Sequence, residues 1–212
     1  MDLNVYYSLI DPAMPDQELW RYLSQLPARL QQDVRRYRQK ADQVRTLTGK
    51  LLLKEAITRA GLPQTLESIA YTDFKRPFIA ENIDFNITHS GGCVACAIGY
   101  GMKLGIDVEE LKHITTEDII AVLREEELEE MRRIQADPET ILRFWTRKEA
   151  IVKASGEGLY KQPQDIYFID ELSAKTPDMY WYLHELDFGG GYIAYCATNV
   201  PGVQVLVQHM TY

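Results

Sequence analysis

Cysteine is scarce in this 212-residue chain, which contains only Cys93, Cys96 and Cys196. An odd number of scattered cysteines argues against a disulfide framework of the kind found in small secreted domains. Cys93 and Cys96 form a CxxC pair, but the run GCVACAIGY around them is typical of a strand, where a spacing of three places two side chains on opposite faces. We therefore expect small core residues rather than zinc ligands or a redox pair.

The chain also lacks long apolar runs and an excess of basic residues. No apolar segment approaches the roughly 18 residues of a membrane span, and the beginning, MDLNVYYSLID, has no basic segment followed by a long apolar one. The formal net charge is -8, whereas nucleic-acid-binding proteins neutralise phosphates with many Lys and Arg residues. We expect a cytoplasmic protein that binds neither membranes nor nucleic acids, with any phosphate site confined to a local cluster.

What is present is an ordinary globular composition, with 46% hydrophobic and 25% charged residues. A chain of this length can bury about 70% of the surface that it exposes when unfolded. The composition therefore predicts a fully folded chain with a substantial core, organised as one large domain or two small ones.

The pattern of elements suggests that the chain is built from two related halves. In the first half, prolines separate a strand from two short helical patterns, and residues 40–61 predict a long helix that ends at Gly61. In the second half, residues 115–134 predict a helix after an imperfect capping box at Thr116, and residues 139–155 predict a stronger one. Segments with strand character lie at residues 5–10, 69–79, 83–90, 93–100, 104–111, 180–186 and 192–200.

In each half a long helix, RTLTGKLLLKEAI or RFWTRKEAIVKAS, precedes strands, and VACAIG in the first half resembles AYCATN in the second. We predict an α+β fold of two pseudo-symmetric α/β halves, residues 1–103 and 104–212, in one compact unit. Two unrelated halves of similar order are the alternative. If the halves are related, the active site is expected in the cleft between them, since ligand sites favour such interfaces.

Three segments carry side chains suited to chemistry, and LGIDVEEL at residues 104–111 is the first. On a strand, Asp107 and Glu109 share one face while Val108 and Glu110 point away. Adjacent carboxylates repel each other, and Mg²⁺ commonly binds one or two carboxylates together with substrate phosphates. A solvated acidic strand end is the alternative.

The second segment is FWTRKEAIVKASGEGL, in which Trp145, Glu149 and Lys153 are four residues apart and form one stripe of a helix. An exposed Glu/Lys pair would explain only part of it, since a Glu beside Trp145 is more naturally half-buried. The third segment is DFNITHSGG, where His89 precedes two glycines and can offer a donor to a phosphate. A lone structural histidine is the alternative.

The three segments, in this order and spacing, resemble the signature of the Sfp-type (surfactin-synthetase-activating) 4'-phosphopantetheinyl transferases. That family carries the blocks FN-x-[ST]-H-S, G-[IV]-D-x-E and W-[ST]-x-K-E-[AS]-x-x-K, which the chain matches at residues 85–90, 105–109 and 145–153. The segment RRYRQKADQVRTLTG extends the similarity, which spans about residues 1–200.

The resemblance implies an enzyme that transfers the 4'-phosphopantetheine group of coenzyme A to a serine of an apo acyl or peptidyl carrier protein and releases 3',5'-adenosine bisphosphate. Mg²⁺ would be held by Asp107, Glu109 and Glu149 and would bridge the pyrophosphate. Glu149 is also a candidate base for the serine, with Lys153 contacting phosphate. The catalytic candidates are Asp107, Glu149 and Lys153.

By position, the resemblance also implies which residues bind coenzyme A. The candidates are Arg29 or Arg36, Arg45 with Thr46, Arg76, Thr88 with His89, and Lys153. The usual G-K-P is KRP here, so Arg76 or Lys75 would serve the pyrophosphate, and Gln32 or Asp33 replaces one of the usual lysines near the second helix.

Two other functions stay open at this point. A non-catalytic module could bind coenzyme A or a carrier, and a metal-dependent phosphohydrolase could use the same carboxylates without explaining the WTRKEAIVK helix. Family members dock the carrier in the region of the acidic helix at residues 125–130, although a solvated helix face fits that charge as well. A duplicated chain can build the cleft alone, which favours a monomer.

Overall fold

A computed structural model describes residues 2–158 and 162–212. In these residues the chain forms eleven strands and five α-helices, joined by short 3-10 segments. The strands are β1 Asp2–Leu9, β2 Ala70–Tyr71, β3 Pro77–Phe78, β4 Ile83–Ser90, β5 Cys93–Tyr100, β6 Leu104–Glu110, β7 Tyr167–Phe168, β8 Ser173–Thr176, β9 Met179–Leu186, β10 Tyr192–Thr198 and β11 Gln204–His209. The helices are α1 Asp16–Leu23, α2 Ala28–Arg35, α3 Lys40–Arg59, α4 Glu125–Arg133 and α5 Pro138–Ser155.

The strands form two main sheets that repeat one arrangement. The first has the order β11-β1-β5-β4 and the second the order β6-β10-β9-β8-β7, while β2 and β3 form a small hairpin. The unit β1-α3-β4-β5 of the first half corresponds to β6-α5-β9-β10 of the second, with antiparallel pairing in the orders β1-β5-β4 and β6-β10-β9. The α+β fold of two related halves is therefore confirmed.

The final strand crosses back to the first half, where β11 pairs in parallel with β1. The predicted boundary between residues 103 and 104 coincides with the change of sheet at β6, but residues 204–209 join the sheet of the first half. A division of the chain into residues 1–103 and 104–212 stays a prediction.

The long helices form where the apolar spacing places them. α3 ends at Arg59, just before Gly61, whose φ of +64° suits the left-handed turn that closes a helix. α5 begins with Asp137 as N-cap, whose side chain accepts a hydrogen bond of 2.8 Å from Thr140 N, and ends at Gly156, with φ +79°. Each helix packs on the sheet of its own half.

The single helix predicted over residues 115–134 is wrong. Thr116–Val122 is a 3-10 segment that begins with a capping box at Thr115 rather than Thr116, and α4 starts only after Leu123 takes an extended conformation. The reason is tertiary packing, because Leu123 is buried and the Val122 carbonyl accepts a hydrogen bond from a lysine side chain of α5. The strand predicted at residues 69–79 is likewise reduced to the short β2 and β3.

The core lies on both faces of β5. Cys96 packs under α3 with the first-half core, whereas Cys93 packs with residues of β6 and β10 on the opposite face. Both thiols are buried and free, and burial raises the pKa of Cys93 to about 12. The prediction that these cysteines are core residues on opposite faces of a strand is confirmed. No helix within residues 2–158 and 162–212 is both long and apolar enough to span a bilayer.

Gly105 lies on β6 where the main chain of α5 packs directly against it. A Cβ atom there would overlap the carbonyl oxygen of Ala150 and the main-chain nitrogen of Ala154. We expect Gly105→Ala to lower the free energy of unfolding by about 3 kcal/mol, since neither main chain can move independently of its element. Denaturant titration of the purified variant measures this value.

The matched control is Gly190→Ala in the loop before β10. A Cβ atom at Gly190 meets no atom of residues 2–158 or 162–212 within 4 Å, and the backbone is not left-handed there, so stability should change by less than about 0.5 kcal/mol. Equal effects of the two substitutions would show that the contact of α5 with β6 is looser than described.

Candidate active site

The two halves meet where β4 runs beside β6, and side chains bridge the strands. Asp84 Oδ2, Asn86 Oδ1 and Ser90 Oγ accept hydrogen bonds of 2.9, 3.0 and 3.1 Å from main-chain N–H groups of β6. These residues are spaced by even numbers along β4 and therefore share one face. The FNITHS segment thus holds β6 in register against the first half, a role of Asn86 and Ser90 that the sequence did not reveal.

Asp107 lies at the centre of this seam and is only 4% exposed. Its Oδ1 accepts hydrogen bonds from Lys153 Nζ at 2.5 Å and from Thr88 Oγ1 at 3.2 Å. Its Oδ2 is buried and has no hydrogen-bond partner among the residues that the structure describes. Burial raises the pKa of Asp107, the charge of Glu109 raises it further, and Lys153 opposes both effects.

Glu109 points to the same side of β6 as Asp107. Its Oε1 accepts a hydrogen bond of 3.1 Å from Trp145 Nε1, and its Oε2 accepts one of 2.9 Å from Ser90 Oγ. Val108 between the two acids is buried in the core on the other side of the strand. The predicted alternation along this strand is therefore present.

The stripe of α5 faces these two acids. Trp145 reaches Glu109 and Lys153 reaches Asp107, while Glu149 between them is half-buried and lines a cleft. Burial raises the pKa of Glu149, the nearby charge of Asp107 raises it further, and Lys153 opposes this. Lys153 thus pairs with the buried acid of β6, and Trp145 donates a hydrogen bond to the second acid of that strand.

The acids do not form a preformed metal cage. Within the described parts of the chain, no three Asp, Glu, His or Cys side chains are arranged so that they could hold a metal ion. The donor chemistry nevertheless fits Mg²⁺. Among the residues that the structure describes, Asp107 Oδ2 is a buried oxygen with no hydrogen-bond partner. The charge of Glu109 raises the pKa of Asp107, and the charge of Asp107 raises the pKa of Glu149, so the three carboxylates lie near one another. Mg²⁺ typically takes only one or two carboxylates and completes its shell with water and phosphate oxygens.

The cleft beside these acids has a volume of about 550 Å³ and lies between the halves. Lys75, Arg76 and Asn86 line it from the first half, and Glu149 and Lys153 line it from α5. A cleft of this size accommodates a cofactor-sized ligand. Three cations, Lys75, Arg76 and Lys153, thus line one cleft in a chain whose formal net charge is -8.

Arg76 and Lys75 differ in what they contact. Arg76 Nη2 donates to both carboxylate oxygens of Asp84, at 2.8 and 2.9 Å, and to the carbonyl oxygen of Leu104 at 2.7 Å, while Nη1 donates to the carbonyl oxygen of Lys153. The guanidinium therefore ties β4, β6 and the end of α5 together. Lys75 has a left-handed backbone with φ +65° and lines the cleft.

Other predicted ligands of coenzyme A surround the end of β4. Thr88 is buried and accepts a hydrogen bond of 3.1 Å from Lys153 Nζ. Arg45 of α3 donates to the carbonyl oxygen of Gly91 at 2.8 Å, and Thr46 follows it on the helix, half-buried. His89 is exposed at the strand end, yet partial loss of water around its ring lowers its pKa, and the charges of Arg45 and Lys153 lower it further.

Arg29 and Arg36 belong to a second basic cluster on α2 and α3. Arg29 Nη2 donates a hydrogen bond of 2.9 Å to the carbonyl oxygen of Ile69, and Arg36 Nη1 lies 3.9 Å from Asp33 Oδ1. Both arginines lie near Lys50. Burial lowers the pKa of Lys50, and the charges of the two arginines lower it further, whereas the charge of Asp33 raises it. Lys50 escaped the sequence analysis because a lysine within LTGKLLL reads as an exposed helix position.

The structure thus consists of two related α+β halves, with a cleft between them that is lined by cations and lies near the buried carboxylate of Asp107. The family model described as "4'-phosphopantetheinyl transferase superfamily" matches residues 103–196, and the one described as "4'-phosphopantetheinyl transferase, N-terminal" matches residues 13–99. The two matches cover both halves, and the chain belongs to the 4'-phosphopantetheinyl transferase superfamily.

Individual relatives agree with this assignment. The chain is 27% identical to 4'-phosphopantetheinyl transferase Sfp of Bacillus subtilis (strain 168), over 93% of each chain. It is 28% identical to 4'-phosphopantetheinyl transferase gsp of Aneurinibacillus migulanus, over 76% of this chain and 69% of the relative. It is also 27% identical to the L-aminoadipate-semialdehyde dehydrogenase-phosphopantetheinyl transferase of Schizosaccharomyces pombe, over 78% and 74%.

Proposed function

We propose that this enzyme transfers the 4'-phosphopantetheine group of coenzyme A to a serine of an apo acyl or peptidyl carrier protein in a Mg²⁺-dependent reaction. The observation that carries the proposal is the position of Asp107. Its carboxylate is buried, has one oxygen without a hydrogen-bond partner in the described part of the chain, and pairs with Lys153, which lines the cleft together with Glu149. Such a group is costly to bury unless a ligand or ion uses it.

In this proposal Asp107, Glu109 and Glu149 hold the metal. Bound Mg²⁺ supplies charge neutralisation at the pyrophosphate. Trp145 and Ser90 orient Glu109 through their hydrogen bonds, so that its carboxylate keeps one position before substrate arrives.

The chain's own groups move the proton and position the phosphates. The serine oxygen forms a bond to the β-phosphorus as the bond from that phosphorus to the bridging oxygen breaks, and 3',5'-adenosine bisphosphate leaves. Glu149 accepts the serine proton, a role that the raised pKa of this half-buried carboxyl favours. Lys153, which donates hydrogen bonds to Asp107 and Thr88, would contact the reacting phosphate.

For coenzyme A, we propose that the first half binds the nucleotide. The cations and hydroxyls assigned to it are Arg29, Arg36, Arg45, Thr46, Arg76, Thr88 and His89. Because the guanidinium of Arg76 is tied to protein acceptors, Lys75 is the better candidate for direct contact with the pyrophosphate from this segment. We further propose that the protein acts in the cytoplasm as a monomer.

The intact mass of a carrier tests the proposed function. The protein is incubated with coenzyme A, Mg²⁺ and a panel of apo carrier domains, and each carrier is weighed. A gain equal to the phosphopantetheine group supports transfer. Free phosphopantetheine with an unmodified carrier would indicate a phosphohydrolase, and binding of coenzyme A without either product would indicate a non-catalytic module.

The proposed role of His89 predicts a pH dependence of binding. Its pKa is lowered in the free protein, so the ring is mostly neutral at neutral pH, and an adjacent phosphate would raise that pKa again. Binding then takes up a proton, and affinity for coenzyme A should increase as pH falls from about 8 to about 6, by at most about tenfold per pH unit. Calorimetric titrations across this range measure the change.

His89→Gln provides the control, because it keeps a hydrogen-bond donor and does not titrate in this range. The difference between wild type and variant removes the contribution from ionisation of the ligand's own phosphate. Identical pH profiles for the two proteins would show that His89 takes no part in phosphate binding.

A further inference from the structure

The first half contains a second cavity, which shares no lining residue with the cleft in the described part of the chain. Its volume is about 380 Å³, and it lies between the turn before α2, the last two turns of α3 and the loop that follows α3. A cavity of this size suits a small organic molecule. It is therefore a candidate binding site separate from the proposed active site.

The walls of this cavity are already in place. Ile57 and Leu66 line it, are each 4% exposed and belong to the core of the first half, so they give the cavity an apolar surface. Two hydrogen bonds of 3.3 Å fix the loop, from Glu67 N to Thr65 Oγ1 and from Thr65 N to Ser68 Oγ. A preformed cavity binds a ligand without losing affinity to the ordering of its walls.

Gln64 brings a polar atom without a partner to this cavity. Its Oε1 is buried and accepts no hydrogen bond from any residue that the structure describes. Such atoms are rare in native proteins, because a buried acceptor has given up its hydrogen bonds to water. The last bond of a glutamine side chain rotates over a broad range, which lets the oxygen turn toward a donor inside the cavity.

The cavity is also lined by one charge of each sign. Lys54 of α3 and Glu67 of the loop are both exposed, and neither forms an ion pair within residues 2–158 and 162–212. Pro27, which lines the cavity as well, is the N-cap of α2, a helix with no side-chain cap and no acidic residue in its first turn. The dipole of α2 therefore adds to the charge of Lys54 in favouring an anionic group.

We propose that this cavity binds a free apolar α-amino acid as its zwitterion. The ammonium group supplies a donor for Gln64 Oε1 and a charge opposite to that of Glu67, and the carboxylate pairs with Lys54. The apolar side chain packs against Ile57 and Leu66. A cation and an anion in one small cavity favour a ligand that carries both charges. The inference goes beyond the proposed function and does not rest on it.

Titration of the isotope-labelled protein with L-leucine, followed by NMR spectroscopy, tests the proposal. We expect saturable shifts of the amide signals of residues 64–67, with a Kd of about 0.1 to 1 mM for a ligand of this size. 4-Methylpentanoate lacks the ammonium group and 3-methylbutylamine lacks the carboxylate, so each should bind about tenfold more weakly. Equal affinities for the three molecules, or no saturable shift with L-leucine, would overturn the proposal.

Variants of the two polar side chains locate the site. Gln64→Met removes the acceptor and should weaken binding of L-leucine about tenfold, but it should leave 4-methylpentanoate unchanged within about twofold, because that ligand has no ammonium donor. Lys54→Met should weaken L-leucine and spare 3-methylbutylamine in the same way. Gln17→Met, at an exposed position of α1, should match the wild type. A structural disturbance would instead weaken all ligands alike, and that result, or no effect of Gln64→Met, would contradict the assignment.

A titration of L-leucine in saturating coenzyme A separates the two sites. Since the cavity and the cleft have different lining residues, the Kd for L-leucine should change by less than about twofold. Displacement of L-leucine by coenzyme A, together with wild-type affinity in Gln64→Met, would place the amino acid in the cleft and refute this inference. A protein that binds L-leucine as described but modifies no carrier would refute only the proposed function.

Discussion

Asp107→Asn should abolish transfer of phosphopantetheine while the protein remains folded. The substitution keeps the shape of the side chain and removes the charge of a carboxylate that is 4% exposed and lies beside Lys153. Loss of the metal ligand proposed here would cost several kcal/mol of charge stabilisation in the transition state, which corresponds to a fall in kcat/KM of about 10³-fold or more. The rate of carrier modification at saturating coenzyme A and limiting carrier concentration measures kcat/KM for the carrier.

Although Asp107→Asn should lose activity, its stability should increase or stay unchanged. Burial raises the pKa of Asp107 in the folded protein. At a pH above the pKa that Asp107 has in the unfolded chain, its ionisation therefore lowers the free energy of unfolding. An asparagine does not ionise, so the melting temperature at neutral pH should be unchanged or slightly higher. Activity within about tenfold of wild type would contradict the assigned role.

The matched control on the same strand is Glu110→Gln. Glu110 is exposed and lies one residue beyond the pair, on the opposite side of β6 from Glu109. Its substitution should change kcat/KM by less than about twofold, which is a difference of less than 0.5 kcal/mol on the ordinary scale of surface changes. An equal loss from the two substitutions would mean that net acidity, rather than a specific ligand, supports the reaction.

Glu149→Gln is expected to have the next largest effect. Its raised pKa results from burial and from the charge of Asp107, and both factors favour a group that takes up a proton. Removing a general base typically costs about 10² to 10⁴ in rate, so kcat should fall by that amount. Because Glu149 is also proposed to hold the metal, the Mg²⁺ concentration for half-maximal activity should increase as well.

Titration of Mg²⁺ separates the two proposed roles. A lower kcat with an unchanged Mg²⁺ requirement would assign Glu149 as the base alone, and full recovery at high Mg²⁺ would assign it as a ligand alone. Glu129→Gln, at an exposed position of α4, is the control and should match the wild type. An unchanged kcat for Glu149→Gln would remove this residue from the mechanism.

The sequence predicts the parts of this site that depend on local geometry. Alternation along a strand places Asp107 and Glu109 on one face, and a spacing of four places Trp145, Glu149 and Lys153 on one stripe. Both relations are properties of a single element, so they hold wherever that element packs. The two-half fold followed in the same way from the repeated order of a long helix and strands.

The sequence does not predict how the elements meet. The hydrogen bond from Trp145 to Glu109 and the pairing of Lys153 with Asp107 depend on the docking of α5 against β6, where Gly105 permits close approach. The guanidinium of Arg76 binds acceptors from three elements that are distant in the chain. The residues next to each of these side chains in the sequence form no pattern that predicts such contacts.

Lys148 is a further residue whose environment the sequence does not predict. Its position between Arg147 and Glu149 is typical of a solvent-exposed helix residue. In the structure it is 1% exposed and donates hydrogen bonds to the carbonyl oxygens of Val122 and Pro163. Its bond to the Val122 carbonyl also explains why the predicted helix at residues 115–134 is interrupted. The periodic pattern of α5 therefore predicted which residues share a face of the helix. It did not predict the carbonyl oxygens on neighbouring segments that accept hydrogen bonds from Lys148.

In the proposed complex, Asp107, Glu109 and Glu149 share one divalent ion with the pyrophosphate of coenzyme A. Anomalous diffraction from a crystal of the protein with Mn²⁺ and coenzyme A tests it directly. We predict a single strong peak within coordination distance of Asp107, of at least one of the two glutamates and of the pyrophosphate. A peak at another location, or coenzyme A ordered in the cleft with no metal beside Asp107, would contradict it.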